Sequence, residues 1–263
     1  MKPNYKNWVP KSMLAEFFAA AAVFCVLFVV FGIYGVGVSG TLQTVLAVVF
    51  CVLTLIALVA GIWLVCMHRA FSYDGKRQLS REVVEGIASY VTIADGGKGL
   101  DVGCGSGALT IAVAKRNPKA TMLGVDRWGK EYASYSKKLC EDNAKAENVT
   151  NVSFQQDDAF HLNFPDEVFD CVTSNYVYHN IPGVNKQLLL RETLRVLKKG
   201  GTFALHDIMS QLRYGDMETF VQELKNEGYE DVRLIDTTDG TFMTRREAML
   251  MDLGGSTLLV GKK

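Results

Sequence analysis

The chain has 263 residues, with 28 Lys plus Arg balanced by 28 Asp plus Glu for a formal net charge of zero. That length holds one medium domain and little besides, and the charge balance lacks the basic footprint of a nucleic-acid-binding protein. A positive mean hydropathy in a chain that is 21% charged means that the apolar residues are segregated.

They are gathered near the N-terminus. From Phe17 to Met67 there is no Asp, Glu, Lys, Arg or His, and a spanning helix needs only about 20 apolar residues. Gly35, Gly37, Ser39 and Gly40 interrupt the run, so the sequence predicts a transmembrane α-helical hairpin over 13–68, with spans at about 13–36 and 41–67. Lys2, Lys6 and Lys11 lie in the preceding segment 1–12, and His68, Arg69, Lys76 and Arg77 follow the second span, while the turn is uncharged. By the positive-inside rule this reads as a multi-pass cell-membrane protein with both termini in the cytoplasm. A cleaved signal peptide is disfavoured, because a second uncharged run follows the first at once. Ala57 and Gly61 have small-xxx-small spacing, which we read as packing within the hairpin rather than as a dimer contact. Residues 69–80 form a linker, whose Phe71 to Lys76 stretch is placed to act as a lid at the membrane surface.

From 81 to 263 the pattern alternates between helix and strand periods. Helices are predicted at 83–91, 108–116, 130–147, 186–197 and 216–227, the last stopped by Gly228. Strands are predicted at 100–102, up to Asp126, and at 152–155, 171–174, 202–206, 232–236 and 256–260. The fold class is α/β, a doubly wound, seven-stranded, mostly parallel sheet. Six cysteines show neither metal nor disulfide spacing, so they read as apolar packing in a reduced domain, and no metal site is expected.

The most informative stretch is Gly99-Leu100-Asp101-Val102-Gly103-Cys104-Gly105-Ser106-Gly107, with Gly124-Val125-Asp126 about twenty residues on. Glycines between a strand and a helix let backbone amides approach a ligand at a helix N-terminus. An acid ending the second strand can accept hydrogen bonds from both ribose hydroxyls. The loop also satisfies a dinucleotide pattern, but three features weigh against that reading. Asp101 would repel a pyrophosphate and suits a ligand bearing an amino group. Asp157 and Asp158 after the third strand offer a carboxylate to an exocyclic amine. Too little chain follows for a separate substrate domain.

Asp101 to Gly107, Asp126, the run Asp158 to Asp166, the Phe169-Asp170 strand start and Arg195 to Gly201 together resemble the successive motifs of class I, Rossmann-like, S-adenosylmethionine-dependent methyltransferases. The resemblance covers about 80–263. The chain departs from it mildly at Asp157-Asp158-Ala159 and at Lys198-Lys199-Gly200-Gly201. It implies that S-adenosyl-L-methionine is the cofactor and that the last strand is antiparallel, inserted between the fifth and sixth. Asp101, Gly103, Gly105, Ser106 and Gly107 would surround the methionine part, Asp126 the ribose, and Asp158 with the Ala159 amide the adenine. Trp128 either packs on the adenine or anchors its own segment, and Asn175 is a contact to the methionine end.

Methyl transfer needs a positioned nucleophile and, for a protonated acceptor, a base. His179, after the fourth strand, has the titration range of a general base, against a packing or capping role, and Tyr178 is a second candidate that would line the acceptor pocket. His206-Asp207 forms a further pair at the end of strand five. The expected function is methylation of a lipophilic small molecule or lipid at N, S or O. A membrane-tethered sensor binding the cofactor without turnover, and a nucleotide-linked oxidoreductase, are the alternatives.

Overall fold

The computed structural model describes residues 2–129 and 134–263. The chain forms two compact units, residues 7–80 and residues 81–263 joined by the N-terminal residues up to Lys6.

In the first unit, helix α1 (Lys11–Leu27) continues into a π-helical turn (Phe28–Ile33), and helix α2 (Gly40–Phe71) follows after a short turn. The two helical stretches, Lys11–Ile33 with 23 residues and Gly40–Phe71 with 32, are long and apolar enough to cross a membrane. The first ends three residues before the sequence-based limit. Gln43 accounts for this end, its amide donating to the carbonyls of Gly32 (3.0 Å) and Ile33 (3.3 Å), groups that a helix terminus leaves without partners. Small residues let the two helices approach closely. A Cβ on Gly32 would lie 2.8 Å from that of Ala47, and one on Gly61 would lie 3.1 Å from the Phe18 ring. Ala57 is buried beside them. At the open end, Asn7 donates to the His68 carbonyl (2.8 Å), the His68 ring meets the Val9 carbonyl (2.7 Å) and Trp8 packs on Phe71. The chain therefore enters and leaves this hairpin side by side.

In the second unit the order is α3 (Leu79–Ser89), β1 (Lys98–Val102), α4 (Ala108–Arg116), β2 (Thr121–Asp126), α5 (Lys137–Ala146), β3 (Val152–Gln156), β4 (Phe169–Asn175), α6 (Lys186–Arg195), β5 (Leu197–Ile208), α7 (Gln211–Tyr214), α8 (Met217–Asn226), β6 (Glu230–Asp236), α9 (Arg245–Leu250) and β7 (Ser256–Lys262). The strands form one seven-stranded sheet in the order β3-β2-β1-β4-β5-β7-β6. Only β7 runs antiparallel, to both β5 and β6. Its place between the fifth and sixth strands is the one that the resemblance implies.

Two elements differ from their predicted bounds for identifiable reasons. Helix α5 starts at Lys137 because the Ser136 side chain caps it, accepting from the Leu139 N–H. The predicted start at 130 falls in 130–133, outside the described residues. Strand β5 begins five residues early, at Leu197, and runs through Gly200 and Gly201. Gly200 takes φ +79° where the pairing with β4 shifts register between Phe169 and Cys171, and glycine alone adopts that backbone without strain.

Leu100 and Val102 of β1, Val172 of β4, Phe203 and Leu205 of β5, and Leu189, Leu190 and Leu194 of α6 are all buried in one core. Pairing of Val102 with both Val125 and Ser174, and of Asn175 with His206, brings the carboxyl ends of β1, β2, β4 and β5 level. The loops that follow these strands form one edge, where open α/β sheets hold their ligands.

Candidate active site

Strand β1 delivers Asp101 and then turns through the glycine loop. Gly103, Gly105 and Gly107 have φ of +72°, +56° and +80°, a region closed to most side chains. A Cβ on Gly103 would also collide with Val177, so the loop lies against the segment following β4. Gly103 and Cys104 donate to the Val125 carbonyl (2.8 and 2.9 Å) and Gly107 to the Cys104 carbonyl (2.7 Å), which fixes the path of the loop.

Asp126 holds the loop from the other side. Its carboxylate accepts from Gly105 N–H (2.9 Å, Oδ2) and from Trp128 N–H (2.9 Å, Oδ1). Each oxygen keeps a lone pair free for a further donor. The Trp128 indole N–H donates to the Gly105 carbonyl (3.1 Å), so the ring is anchored to the loop. Cys140 donates to the same carbonyl (3.2 Å). Cys104 is buried within the loop, and burial pushes its thiol well up, so it packs rather than reacts.

Asp101 is 1% exposed. Its oxygens accept from the hydroxyls of Thr110 (2.6 Å) and Thr173 (2.9 Å). Burial pushes its carboxyl up to about 7 in spite of these bonds. This departs from an open contact to an amino group, since Asp101 sits beneath the loop with its oxygens occupied. At β3, Asp157 is buried and is taken by the backbone and side-chain amides of Asn163. Asp158 is more open, its carboxylate accepting the Phe160 N–H (2.9 Å), so with Ala159 it is the half of the pair that can meet a ligand.

Beyond β4, Tyr176 takes φ +54°, and residues Tyr178–Asn180 make a single 3-10 turn. The turn sends Tyr178 inward. Its ring is fully buried and its hydroxyl meets Thr193 (2.7 Å) on α6, and burial pushes the phenol up. The expectation that Tyr178 lines an acceptor pocket is thereby corrected. His179 faces the other way and keeps 15% of its side chain exposed. Its Nδ1 lies 2.5 Å from Asp207 Oδ1.

Asp207 is completely buried. It also accepts from the backbone N–H groups of Tyr178 (2.8 Å), His179 (3.1 Å) and Ile208 (2.7 Å). Burial opposes its charge, but the hydrogen bond and charge of His179, with the backbone donors, hold it below the usual carboxylate range. The buried Tyr214 hydroxyl is turned toward Asp207 without a well-formed hydrogen bond among the described residues. The adjacent His206 does not share this cluster. Its ring contacts the Asn175 amide (2.9 Å, Nδ1) and the Thr237 hydroxyl (2.9 Å, Nε2), and burial lowers it to about 3, so it is neutral.

A family described as a methyltransferase domain matches residues 93–244, more than half of the sequence. The chain belongs to that family. Its relatives include the demethylmenaquinone methyltransferases of Lactobacillus johnsonii, 37% identical over 39% of this chain and 40% of that protein, and of Staphylococcus carnosus, 36% identical over 44% of each. The methyltransferase GfsG of Streptomyces halstedii is 28% identical over 58% of this chain and 52% of its own. The chain thus spans about half or less of the curated relatives it matches. Among solved structures, the [4+2]-cyclase SpnF superposes with a TM-score of 0.54 at 20% identity, over 71% of this chain and 82% of that one. A geranyl diphosphate methyltransferase superposes with 0.54 at 13% identity, over 74% and 81%. These likenesses establish the fold, that of S-adenosylmethionine-dependent methyltransferases.

The methyltransferase domain fits its cofactor at the glycine loop. A Cβ on Gly105 would face open space apart from the Tyr135 ring at 3.7 Å, and Asp126 retains acceptor capacity at the end of β2. Sequence reasoning missed three groups here: the threonines holding Asp101, the Asp207 partner of His179, and Asn143 of α5, whose amide donates to the Ser106 carbonyl (2.9 Å). No pattern of spacing announces these, because each joins residues from separate elements. Among the described residues no cluster of metal-ligating side chains occurs.

Proposed function

We propose that the chain transfers a methyl group from S-adenosylmethionine to a lipophilic acceptor of the quinol class, one that must lose a hydroxyl proton to become nucleophilic. The observation that carries this reading is the His179–Asp207 pair beside the glycine loop. A carboxylate with four donors cannot readily take a proton, so the shared proton stays on His179 Nδ1 and Nε2 is left as the basic atom. Such a base serves an acceptor bearing an acidic O–H, and the proton it removes leaves electron density on the oxygen or on a conjugated ring carbon. The cofactor supplies an electrophilic methyl group on a sulfonium leaving group. Asp126 would hold the ribose, Asp158 and the Ala159 amide the adenine, and Gly103 to Gly107 the methionine part, with Trp128 against the adenine and Asn175 near the methionine. Relatives named for a quinone substrate support the acceptor class.

The apolar hairpin supports membrane anchoring, which suits an acceptor held in lipid. Residues up to Lys6 belong to the same unit as 81–263, so two crossings between them return the chain to its starting side. The lysines and arginine flanking the hairpin favour the cytoplasmic face.

The test is S-adenosylhomocysteine release by the detergent-solubilised protein with a prenylated naphthoquinone in reduced and oxidised form, beside thiol and amine acceptors. Release with the reduced form alone is expected. Release with amines or thiols but not with the quinol would refute the acceptor class, and no release in spite of S-adenosylmethionine binding would favour a sensor.

A further inference from the structure

The N-terminal residues that precede the hairpin make a specific contact with the helix behind the glycine loop. Asn4 N–H donates to the Asn143 side-chain oxygen (2.6 Å), and the Asn143 amide donates back to the Asn4 carbonyl (3.2 Å). Tyr5 is 8% exposed, and its hydroxyl donates to Glu147 (3.2 Å), the residue that ends α5. Asn143 is itself 1% exposed. The same amide that meets Asn4 also donates to the Ser106 carbonyl, in the loop between Gly105 and Gly107. One buried side chain therefore joins the N-terminal strap to the glycine loop.

A buried amide is costly to leave with an unsatisfied group. Without the strap, the Asn143 oxygen loses its backbone donor. The bond to the Ser106 carbonyl alone then holds the amide, and the glycine loop is held less firmly. We infer that residues 2–6, from outside the cofactor site, steady the glycine loop, with Asn143 as the positioning residue that transmits their docking to it. This inference rests on the glycine loop being where the cofactor binds. It makes the segment before the hairpin more than a leader: strap docking and cofactor binding are two equilibria of one loop, and each strengthens the other by the same factor.

The chemistry of the contact supplies a selective perturbation. Asn4 binds through its backbone while its side chain is exposed, so Asn4→Ala leaves the contact intact and Asn4→Pro removes the N–H donor. In the full-length, detergent-solubilised protein, Asn4→Pro should raise the calorimetric Kd for S-adenosylhomocysteine by about 2- to 10-fold, with Asn4→Ala unchanged. Equal Kd values for the two variants would overturn the inference. Should Asn4→Pro fail to fold, hydrogen exchange of the unaltered protein decides instead. Saturating S-adenosylhomocysteine should slow exchange of the Asn4 N–H, and an unchanged rate would overturn the coupling. Asp126→Ala run in parallel separates the two levels. If it weakens binding while Asn4→Pro does not, the strap inference fails alone; if it has no effect, the cofactor-site reading fails with it.

Discussion

Replacing Asp101 by Asn should stabilise the cofactor-free fold at alkaline pH. In the unfolded chain the carboxyl titrates near its ordinary value of 3.8, and in the folded state near about 7, because burial outweighs the two threonine hydrogen bonds. Below about pH 4 both states hold the proton and Asp101 costs nothing. Between about 4 and about 7 the unfolded chain releases its proton while the folded one keeps it, so stability falls as pH rises; above about 7 the cost is fully present. One pKa unit corresponds to about 1.4 kcal/mol, so the roughly three-unit gap amounts to about 4 kcal/mol at most. Half of that would still be measurable. Asp101→Asn has no proton to lose, and the Thr110 and Thr173 hydroxyls can rotate to serve its amide. The measurement is chemical denaturation of the domain in the full-length protein, followed by near-ultraviolet circular dichroism at pH 4 and at pH 8. The variant should match the parent at pH 4 and exceed it by about 2 to 4 kcal/mol at pH 8. A variant less stable than the parent at pH 8 would show that the hydroxyl bonds outweigh burial and that the carboxyl is not raised in the fold.

Asp126→Ala should weaken S-adenosylmethionine binding by about 1 to 3 kcal/mol, read by calorimetry; unchanged affinity would remove Asp126 from the site. His179→Ala and Asp207→Asn should each lower kcat about 10²- to 10⁴-fold without altering cofactor Kd, and a rate that survives either change would return the pair to a structural role. Tyr178→Phe loses its bond to Thr193 and should cost about 1 kcal/mol of stability while turnover persists. Tyr214→Phe deletes a buried hydroxyl that forms no well-aligned hydrogen bond and should stabilise by about 1 kcal/mol, whereas a melting temperature below that of the parent would reveal a bond to Asp207.

How far the sequence could be read depended on whether an interaction is local or crosses the sheet. The glycine loop, its helix and Asp126 were legible because each uses a residue type with a strong backbone or hydrogen-bonding preference at fixed spacing. His206 and Asp207 were legible as residues but not as partners. Neighbours in a strand point to opposite faces, so the pleat sends Asp207 to His179 and His206 to Thr237. The same geometry decides Tyr178 against His179, since one step of a 3-10 turn rotates a side chain from the core to the edge. Asn143 lies in a polar helix and carries no pattern that distinguishes it from its neighbours.

The contact between Asn4 and Asn143 joins residues 139 apart, so it forms only after the hairpin and the strands β1 and β2 have been made. In a chain inserted as proposed, residues made before the hairpin find their place only after it. A hairpin threaded with its ends on opposite sides of the bilayer would leave Asn143 without its partner and the glycine loop less firmly held. Correct insertion would then be checked at the glycine loop itself, and a misoriented copy would be silent rather than active in the wrong place.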